Sequence, residues 1–458
     1  MKKTFLSAVL VCALFLANAQ ISQRIKTAMD SFNNDTQLKY AISSLYIIDA
    51  ATGETVFDQN SNVGLAPAST QKVITAATLL DVAGPSYTYD TKFGIVSTAN
   101  GKSLYIDPSG DPALGSWRWD ETKDAAFLNR LKAALTAKGI TKLFSVIINA
   151  SRWDYETIPD GWIWQDIGNY YGAGSQPLNW RENQFDVVLK SGSNIGDKVT
   201  IVKTNPYLYD YTIVSKATAA AKNSGDNSYL YHPSIGSKNG ILTGTIPAGQ
   251  DAFVVSGSIH DPANQFVKTV ISHLKNTVTF STTNWEMVRQ PMHNIEWIYT
   301  NSSPKMSSLS YWFLRRSINL YGEAFVKALA LEKNGKATTD DGIKILKDHW
   351  KSRGIDPDEL RMYDGSGLSP QNRNTARSQV TVLQYAKKQP WFKEYYEGFP
   401  LYNDMKMKSG TINRVKGFTG YQKSKTGREY IFSFLVNNYS GSQFTLVRKM
   451  YRVLDNLK

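Results

Sequence analysis

The chain has 458 residues, of which 42% are hydrophobic and 12% aromatic, and its formal net charge is +13. That length and apolar content suit two or three domains with buried cores. The single cysteine, Cys12, lies in a segment that we expect to be removed, which excludes a disulfide-stapled scaffold, a cysteine-based zinc site and a cysteine nucleophile.

Residues 1–19 form the first predicted element, a cleavable secretory signal. Two lysines precede an apolar run over 5–16, and the small residues that end at Ala19 are typical of a cleavage site. Because Val11 stands where a lipoprotein signal requires a small residue, we do not expect a lipid anchor on Cys12. No later run is long and apolar enough to span a bilayer, so we expect a periplasmic protein without stable membrane insertion.

The positive charge survives this cleavage, because removing Lys2 and Lys3 without any acidic residue changes the net charge from +13 to +11. The excess fits either an ordinary hydrated surface or attraction to an anionic cell-wall polymer, and the sequence leaves both open. A nucleic acid is not an expected partner, since no dense Lys/Arg run is interleaved with aromatic residues. The sequence predicts no oligomeric state.

The elements that follow predict an α/β (α+β) fold. A helical pattern over 21–32 precedes a strand hairpin over 40–60, and a helix over 73–82 ends at Gly84. The long middle then changes to short strand-like runs rich in Thr, Val, Tyr, Gly and Asn, with a helical pattern over 125–139.

Helices return in the last third of the chain, including one long helical pattern over 307–335. The chain closes with a strand and an amphipathic helix. We therefore predict one domain formed by 20–90 and 290–458, with a β-rich insertion over 91–289 whose inner subdomain covers about 188–255.

Ser69 and Lys72, in "PASTQK", are the first candidate catalytic pair. A serine three residues before a lysine on a helix places both side chains on one face, with Cβ atoms about 5–6 Å apart, so a neutral amine can take the hydroxyl proton. The spacing alone is weak evidence, because it recurs twice at positions that we interpret as structural. These are Ser272 with Lys275 and Ser302 with Lys305.

Two later segments strengthen the catalytic interpretation. "RRSINLYGEAF" gives Ser317-Ile318-Asn319, predicted to lie on a helix, and "MKMKSGTINRV" gives Lys408-Ser409-Gly410 at the start of a strand. Together with Ser69 they reproduce, in order and with conservative changes, the Ser-x-x-Lys, Ser-Asp-Asn and Lys-Thr-Gly elements of serine acyl-transfer enzymes.

Lys425-Thr426-Gly427 matches the third element more literally than Lys408 does. Its flanking strand patterns and dense turn residues predict the tip of a hairpin, whereas Gly410 allows a substrate backbone to approach a strand closely. We therefore choose Lys408. The five histidines show neither a metal-ligand spacing nor a nucleophile-elbow context, so a Ser-His-Asp triad is not expected.

With these motifs the sequence resembles the penicillin-binding proteins of the D-alanyl-D-alanine carboxypeptidase/endopeptidase family, the DacB-like class C enzymes. Further segments carry the likeness across nearly the whole mature chain: "APASTQK", "GDPAL", "GWIWQDIGNYYGAGSQPLNWRENQF" and "DGSGLSPQN". The resemblance implies a β-lactamase/transpeptidase-like domain with a five-stranded antiparallel sheet flanked by helices, plus β-rich inserted domains. It implies no metal or organic cofactor, and it implies β-lactam antibiotics as covalent inhibitors.

The resemblance also implies roles on peptidoglycan stem peptides. Ser69 would attack the carbonyl of the penultimate D-alanine, Lys72 would accept its proton, and Ser317 would relay a proton to the leaving amine. Three residue positions would bind the substrate's amide or carboxylate, and two backbone N–H groups would form the oxyanion hole. The binding positions are Asn319, Lys408 and Ser409, and the oxyanion donors are the N–H groups of Ser69 and Thr411.

Two positions leave substrate recognition open. Pro370 stands where many members of the family carry an arginine that helps to recognise the stem-peptide side chain. Asp166 either meets the amino group of a diaminopimelate side chain, as the resemblance implies, or serves as a turn or helix-cap residue. A serine β-lactamase and a non-catalytic peptidoglycan-binding protein with the same fold remain the alternative functions.

Overall fold

The structure is a computed structural model, and it describes residues 20–233 and 239–458. The predicted signal and Cys12 lie outside the described residues. The chain forms two compact units. The first contains the described part of Met1–Pro85 together with Ser310–Ser317 and Ile343–Lys458, and the second contains Ser86–Leu309 and Ile318–Gly342. The domain boundaries near residues 90 and 290, and the inner subdomain over 188–255, stay predictions.

The first unit is built on an antiparallel sheet whose strands come from both ends of the chain. Their order across the sheet is Leu401–Tyr402, Met405–Ile412, Val415–Lys423, Glu429–Asn437, Ile42–Asp49 and Thr55–Gln59. Seven of the eight residues of Ile42–Asp49 are buried, so both faces of the sheet are covered. Apart from the two-residue strand at the edge, this is the five-stranded sheet that the resemblance implies.

Helices cover the two faces of this sheet. On one face, a helix over 20–33 and the helix Gln443–Leu454 pack into an apolar core through side chains such as Met29, Phe432 and Met450. On the other face, the Tyr421 hydroxyl donates to the backbone of helix Ala376–Ala386 at 2.9 Å. The remaining helices of the first unit are Lys72–Val82 and Phe392–Glu397, and its remaining strands are Leu360–Arg361 and Arg373–Asn374. The chain passes between the units within the helices Met306–Arg316 and Thr339–Lys351.

The second unit contains most of the short strands that the sequence predicts. Its five-stranded mixed sheet has the order Trp285–Val288, Val146–Asn149, Gly101–Asp107, Asp90–Thr98 and Glu296–Ser302. A three-stranded antiparallel sheet contains Phe253–Ser258, Gln184–Ser191 and Val199–Asn205. A further mixed sheet contains Thr218–Ala220, Asn239–Pro247, Asn227–Tyr231 and Thr212–Ser215, and Lys142–Leu143 pairs with Thr279–Phe280.

Two long helices pack on the five-stranded sheet of the second unit, Asp124–Ala137 and Pro262–Leu274. They share with the sheet an apolar core in which Phe93, Phe127 and Phe266 are fully buried. The other helices of this unit are Trp164–Ile167 and Asn319–Asn334.

Several predicted elements are confirmed. The hairpin is formed by Ile42–Asp49 and Thr55–Gln59, and the helix after Ser69 spans Lys72–Val82. The prediction of a continuous helix through Ser317 is wrong: one helix ends at Arg316 and the next begins at Asn319. Ser317 has a φ of +58°, a left-handed conformation that no residue of a right-handed helix can adopt.

Across 20–233 and 239–458, every helix is too short or too polar to cross a membrane.

Candidate active site

Ser69 lies in a short 3₁₀ turn, Ala68–Gln71, that leads directly into the helix Lys72–Val82. The fully buried side chain of Lys72 donates a hydrogen bond of 3.0 Å to the Ser69 hydroxyl oxygen. Ala68, immediately before the serine, has a φ of +47°, which costs a non-glycine residue about 1–3 kcal/mol and is typical of functional sites. The predicted pair is therefore in contact, at a strained entry to a helix.

The loop over 364–372, "DGSGLSPQN", also holds this helix. The backbone oxygen of Ser366 accepts a hydrogen bond from Lys72 at 2.6 Å, and that of Gly365 accepts one from Thr75 at 2.7 Å. Gly367, with a φ of +84°, comes so close that a Cβ there would lie 2.0 Å from the Ala68 oxygen. The loop thus helps to fix the lysine amine that contacts the serine.

The buried carboxylate of Asp364 organises this loop. It accepts hydrogen bonds from the backbone N–H groups of Gly367 at 2.7 Å and Ser369 at 2.6 Å. It also accepts bonds from the side chains of Asn372 at 2.9 Å and Gln71 at 3.1 Å. One residue therefore sets the path of the loop and ties it to the 3₁₀ turn that carries Ser69.

The strand Met405–Ile412 runs beside the same 3₁₀ turn. A Cβ on Gly410 would lie 2.5 Å from the Pro67 oxygen and 3.0 Å from the Ser69 nitrogen, distances that only a glycine permits. The side chain of Lys408, two residues earlier, is 2% exposed and donates to the Ser409 oxygen at 2.8 Å. The predicted third element, Lys408-Ser409-Gly410, therefore lies against the turn that carries Ser69.

Three buried lysines, Lys72, Lys408 and Lys416, lie in this region. Burial lowers the pKa of Lys408 well below its ordinary value, and the positive charges of Lys72 and Lys416 lower it further. Lys416, on the neighbouring strand, is 6% exposed, and burial lowers its pKa to about 8. Ammonium groups in this arrangement repel one another, which favours a neutral amine on one of them and attracts an anionic ligand.

Ser317 belongs to the first unit and follows the helix that carries Phe313. The Phe313 ring centre lies 5.5 Å from the Lys72 amine, and Ser317 comes one turn after Phe313. The half-buried Ser317 has a φ of +58°. The break between the two helices, which the sequence did not predict, therefore occurs at Ser317, the candidate proton relay.

Asn319 and Asp166 belong to the second unit, where Tyr171 contacts both. The Asn319 amide donates to the Tyr171 backbone oxygen at 2.7 Å, and the Tyr171 hydroxyl hydrogen-bonds the Asp166 carboxylate. Burial raises the pKa of Asp166 to about 6, although the Tyr171 hydroxyl acts in the opposite direction. Asp166 lies within the short helix Trp164–Ile167 and does not occupy its N-cap.

The positions that the sequence analysis set aside lie elsewhere. Lys425 is exposed in the turn between the strands Val415–Lys423 and Glu429–Asn437, the hairpin tip that was predicted. Ser272 lies near the end of helix Pro262–Leu274, and Lys275 follows that helix.

Three groups of the candidate site were not predicted from the sequence. The Ser366 carbonyl that holds Lys72 is a backbone group, which a sequence does not display. Lys416 could have been found, because the two-residue turn at Asn413 and Arg414 places Thr411 opposite Lys416 in the hairpin. Phe313 carried no signal beyond its place on an apolar helix face.

These contacts define what the first unit can do chemically. A hydroxyl and a buried amine in hydrogen-bond contact form a nucleophile with its base once the amine is neutral. The Ser69 N–H lies at the start of a helical segment and beside the strand Met405–Ile412, where a developing oxyanion would be stabilised. The site therefore fits acyl transfer to serine.

The chain is similar to known proteins in sequence and in fold. The family model described as "D-Ala-D-Ala carboxypeptidase 3 (S13) family" matches residues 25–456. A D-alanyl-D-alanine carboxypeptidase of Actinomadura sp. (strain R39) is 24% identical over 457 residues, covering 91% of this chain and 81% of its own. The crystal structure of penicillin binding protein 4 (dacB) from Haemophilus influenzae matches with a TM-score of 0.77 and 18% identity, covering 91% of this chain and 96% of its own. The same protein complexed with a β-lactam matches with a TM-score of 0.71 and 19% identity, with the same coverage.

Proposed function

The chain belongs to the D-Ala-D-Ala carboxypeptidase 3 (S13) family, and on that premise we propose that it cleaves peptidoglycan stem peptides through an acyl-enzyme on Ser69. Membership makes it a serine-type, penicillin-sensitive carboxypeptidase or endopeptidase, which is a hydrolase. The observation that carries the assignment of Ser69 is its 3.0 Å contact with the fully buried amine of Lys72.

In the proposed first half-reaction, the Ser69 oxygen attacks the carbonyl carbon of the penultimate D-alanine while its proton passes to neutral Lys72. The tetrahedral oxyanion is held by the backbone N–H groups of Ser69 and Thr411. Breakdown of the intermediate expels the leaving amine, which takes up a proton relayed through Ser317. The product is an ester between Ser69 and the shortened stem peptide.

In the second half-reaction, water attacks this ester and the Ser69 hydroxyl is restored. Lys408 and the Ser409 hydroxyl are proposed to hold the carboxylate of the substrate, which explains why Lys408 is buried without an acidic partner among the described residues. The roles that the resemblance gives Asn319 and Asp166 stay predictions.

A labelled penicillin tests the assignment. We expect a covalent mass increase on the purified protein that maps by peptide mass spectrometry to the segment with Ser69. Ser69→Ala should abolish both labelling and peptidase activity while leaving the thermal melting curve unchanged. Full residual activity of Ser69→Ala would exclude Ser69 as the nucleophile.

The same experiment separates the alternative functions. Rapid turnover of penicillin without an accumulating adduct would favour a β-lactamase, and absence of any adduct would favour a non-catalytic wall-binding protein.

A second experiment divides carboxypeptidase from endopeptidase activity. The protein is offered monomeric pentapeptide fragments and cross-linked dimers, and D-alanine release is compared with dimer cleavage.

Export to the periplasm is part of the proposal, with cleavage after Ala19 supported by the signal-like pattern of 1–19. N-terminal sequencing of protein recovered from the periplasmic fraction should begin at Gln20. An intact Met1 in that fraction would contradict the proposed cleavage.

A further inference from the structure

Lys416 is a buried lysine to which no catalytic role has been given, and it lies beside the strand that carries Lys408. It lies on the strand Val415–Lys423, directly opposite Thr411 of the strand Met405–Ile412. Its amine donates a hydrogen bond of 2.8 Å to the Thr411 hydroxyl oxygen, and it lies 4.8 Å from the centre of the Phe418 ring. Only 6% of the residue is exposed, so the amine is held in place by its neighbours.

Neither Lys416 nor Lys408 forms an ion pair with an acidic residue anywhere in the described parts of the chain. A buried ammonium without a counter-ion is costly, and a bound anion would supply the missing charge. Two such cations on adjacent strands therefore indicate a place for an anion.

The hydrogen bond between Lys416 and Thr411 has a fixed direction. An ammonium group carries only donors, so the Thr411 oxygen is the acceptor and its own hydrogen stays available for another partner. Thr411 is exposed, whereas the Lys416 amine behind it is not. The lysine thus leaves the exposed hydroxyl able to act as a donor to a ligand.

Resting on the proposed function, we propose that Lys416 is a positioning residue for the substrate's terminal carboxylate. It acts in two ways: it holds the Thr411 hydroxyl as a donor to the carboxylate, and it adds a positive charge beside Lys408. Lys416 thereby selects substrates and β-lactams that end in a free carboxylate.

The test compares benzylpenicillin with its methyl ester, which lacks the negative charge and is otherwise the same acylating agent. Second-order acylation rates are measured by intact mass spectrometry for the wild-type protein and for Lys416→Met. For benzylpenicillin we expect the rate to fall about 10- to 100-fold, the effect of losing a hydrogen-bonded charge interaction, while the ester rate changes by less than about twofold. Lys416→Arg, which keeps donor and charge, should recover a large part of the loss.

Three controls make the outcome decisive. Lys425→Met removes an exposed lysine from the turn after the same strand, and it should leave both rates unchanged. Thr411→Val combined with Lys416→Met should slow benzylpenicillin acylation by less than the product of the two single effects, because the second residue acts through the first. The melting temperature of Lys416→Met should equal or exceed that of the wild type, since a buried charge without a counter-ion is removed.

Equal losses on the acid and the ester would overturn the proposal, because they would show a general structural effect. Unchanged rates on both would also overturn it. If the wild-type protein is acylated by neither compound, the proposed function fails instead, so the two failures are distinguishable. If Lys416→Met does not fold, Lys416→Gln provides the uncharged variant for the same comparison.

Discussion

The side-chain amine of Lys72 donates a hydrogen bond of 2.6 Å to the backbone oxygen of Ser366, across 294 positions of sequence. The same amine donates a hydrogen bond of 3.0 Å to the Ser69 hydroxyl oxygen, so two acceptors together fix its position. The loop that supplies the carbonyl is therefore part of the catalytic apparatus in the proposed mechanism. Its own conformation depends on one buried carboxylate, which leads to the first prediction.

Asp364→Ala should both destabilise the protein and slow acylation. The substitution leaves buried donors of Gly367, Ser369 and Asn372 without their acceptor, and each such loss costs about 1–3 kcal/mol. We expect the free energy of unfolding in urea to fall by about 2–5 kcal/mol, with a lower penicillin acylation rate in the protein that remains folded.

The matched control for this change is Asp358→Ala, an exposed aspartate whose nearest cation, Arg361, is 3.7 Å away and also exposed. It should change the free energy of unfolding by less than about 0.5 kcal/mol. If Asp364→Ala unfolds at the same urea concentration as this control, the loop does not depend on the carboxylate.

Gly410→Ala should slow acylation without removing any functional group. The added Cβ would lie 2.5 Å from the Pro67 oxygen and 3.0 Å from the Ser69 nitrogen, so the strand or the 3₁₀ turn must shift. A displacement of about 1 Å at a reacting group can cost about 100-fold in rate, and we expect a loss of that order in penicillin labelling.

Gly64→Ala is the control for this substitution, because its Cβ would meet only the Arg373 Cβ at an ordinary 3.5 Å. Labelling of Gly64→Ala should match the wild type. Wild-type labelling by Gly410→Ala would show that the strand can move away from Ser69 at no cost to catalysis.

Lys408→Met should shift the pH dependence of acylation. Burial lowers the pKa of Lys408, and the positive charge of Lys72 lowers it further. Because this repulsion is mutual, removing the charge of Lys408 makes protonation of Lys72 more favourable. A higher pH is then needed before Lys72 can accept a proton, so the acid limb of the acylation rate should move to higher pH. Rates measured from about pH 5 to about pH 10 check this.

Lys425→Met, at the exposed hairpin tip, should leave the acid limb where it is in the wild type. An acid limb for Lys408→Met that coincides with the wild-type limb would mean that Lys408 does not influence the protonation of Lys72.

Much of the fold could be predicted because its elements are locally consistent. Strand-like runs on both sides of the turn "AATGE" predict the hairpin Ile42–Asp49 with Thr55–Gln59, and a helical pattern with a terminal Gly-Pro predicts the helix that spans Lys72–Val82. The break at Ser317 could not be predicted in this way, because neither glycine nor proline marks it. Its left-handed φ is imposed by tertiary context, which a local pattern does not contain.

The candidate site likewise contains residues that the sequence predicts and groups that only the fold reveals. Side chains at recognisable spacings, such as Ser69, Lys72 and Lys408, can be proposed from the sequence. The Ser366 carbonyl was not, since backbone acceptors are present at every residue and only the fold selects one. Lys416 lies between these cases: hairpin register places it opposite Thr411, yet its burial became evident only in three dimensions.

Asp111→Asn should make the protein more stable, and more so at high pH than at low pH. Asp111 is 2% exposed, one of its carboxylate oxygens has no hydrogen-bond partner among the described residues, and burial raises its pKa to about 7. Because the folded protein holds this proton up to a higher pH than the unfolded chain, the aspartate lowers stability progressively from about pH 4 to about pH 7.

The amide oxygen of the substituted side chain can still accept from the Ala113 N–H, a bond of 2.8 Å in the wild type, and the amide carries no charge to desolvate. The gain in the free energy of unfolding should therefore be about 2–3 kcal/mol larger at about pH 8 than at about pH 5. Urea unfolding of both proteins at the two pH values measures this difference, and a gain that is the same at both would show that Asp111 does not titrate in this range.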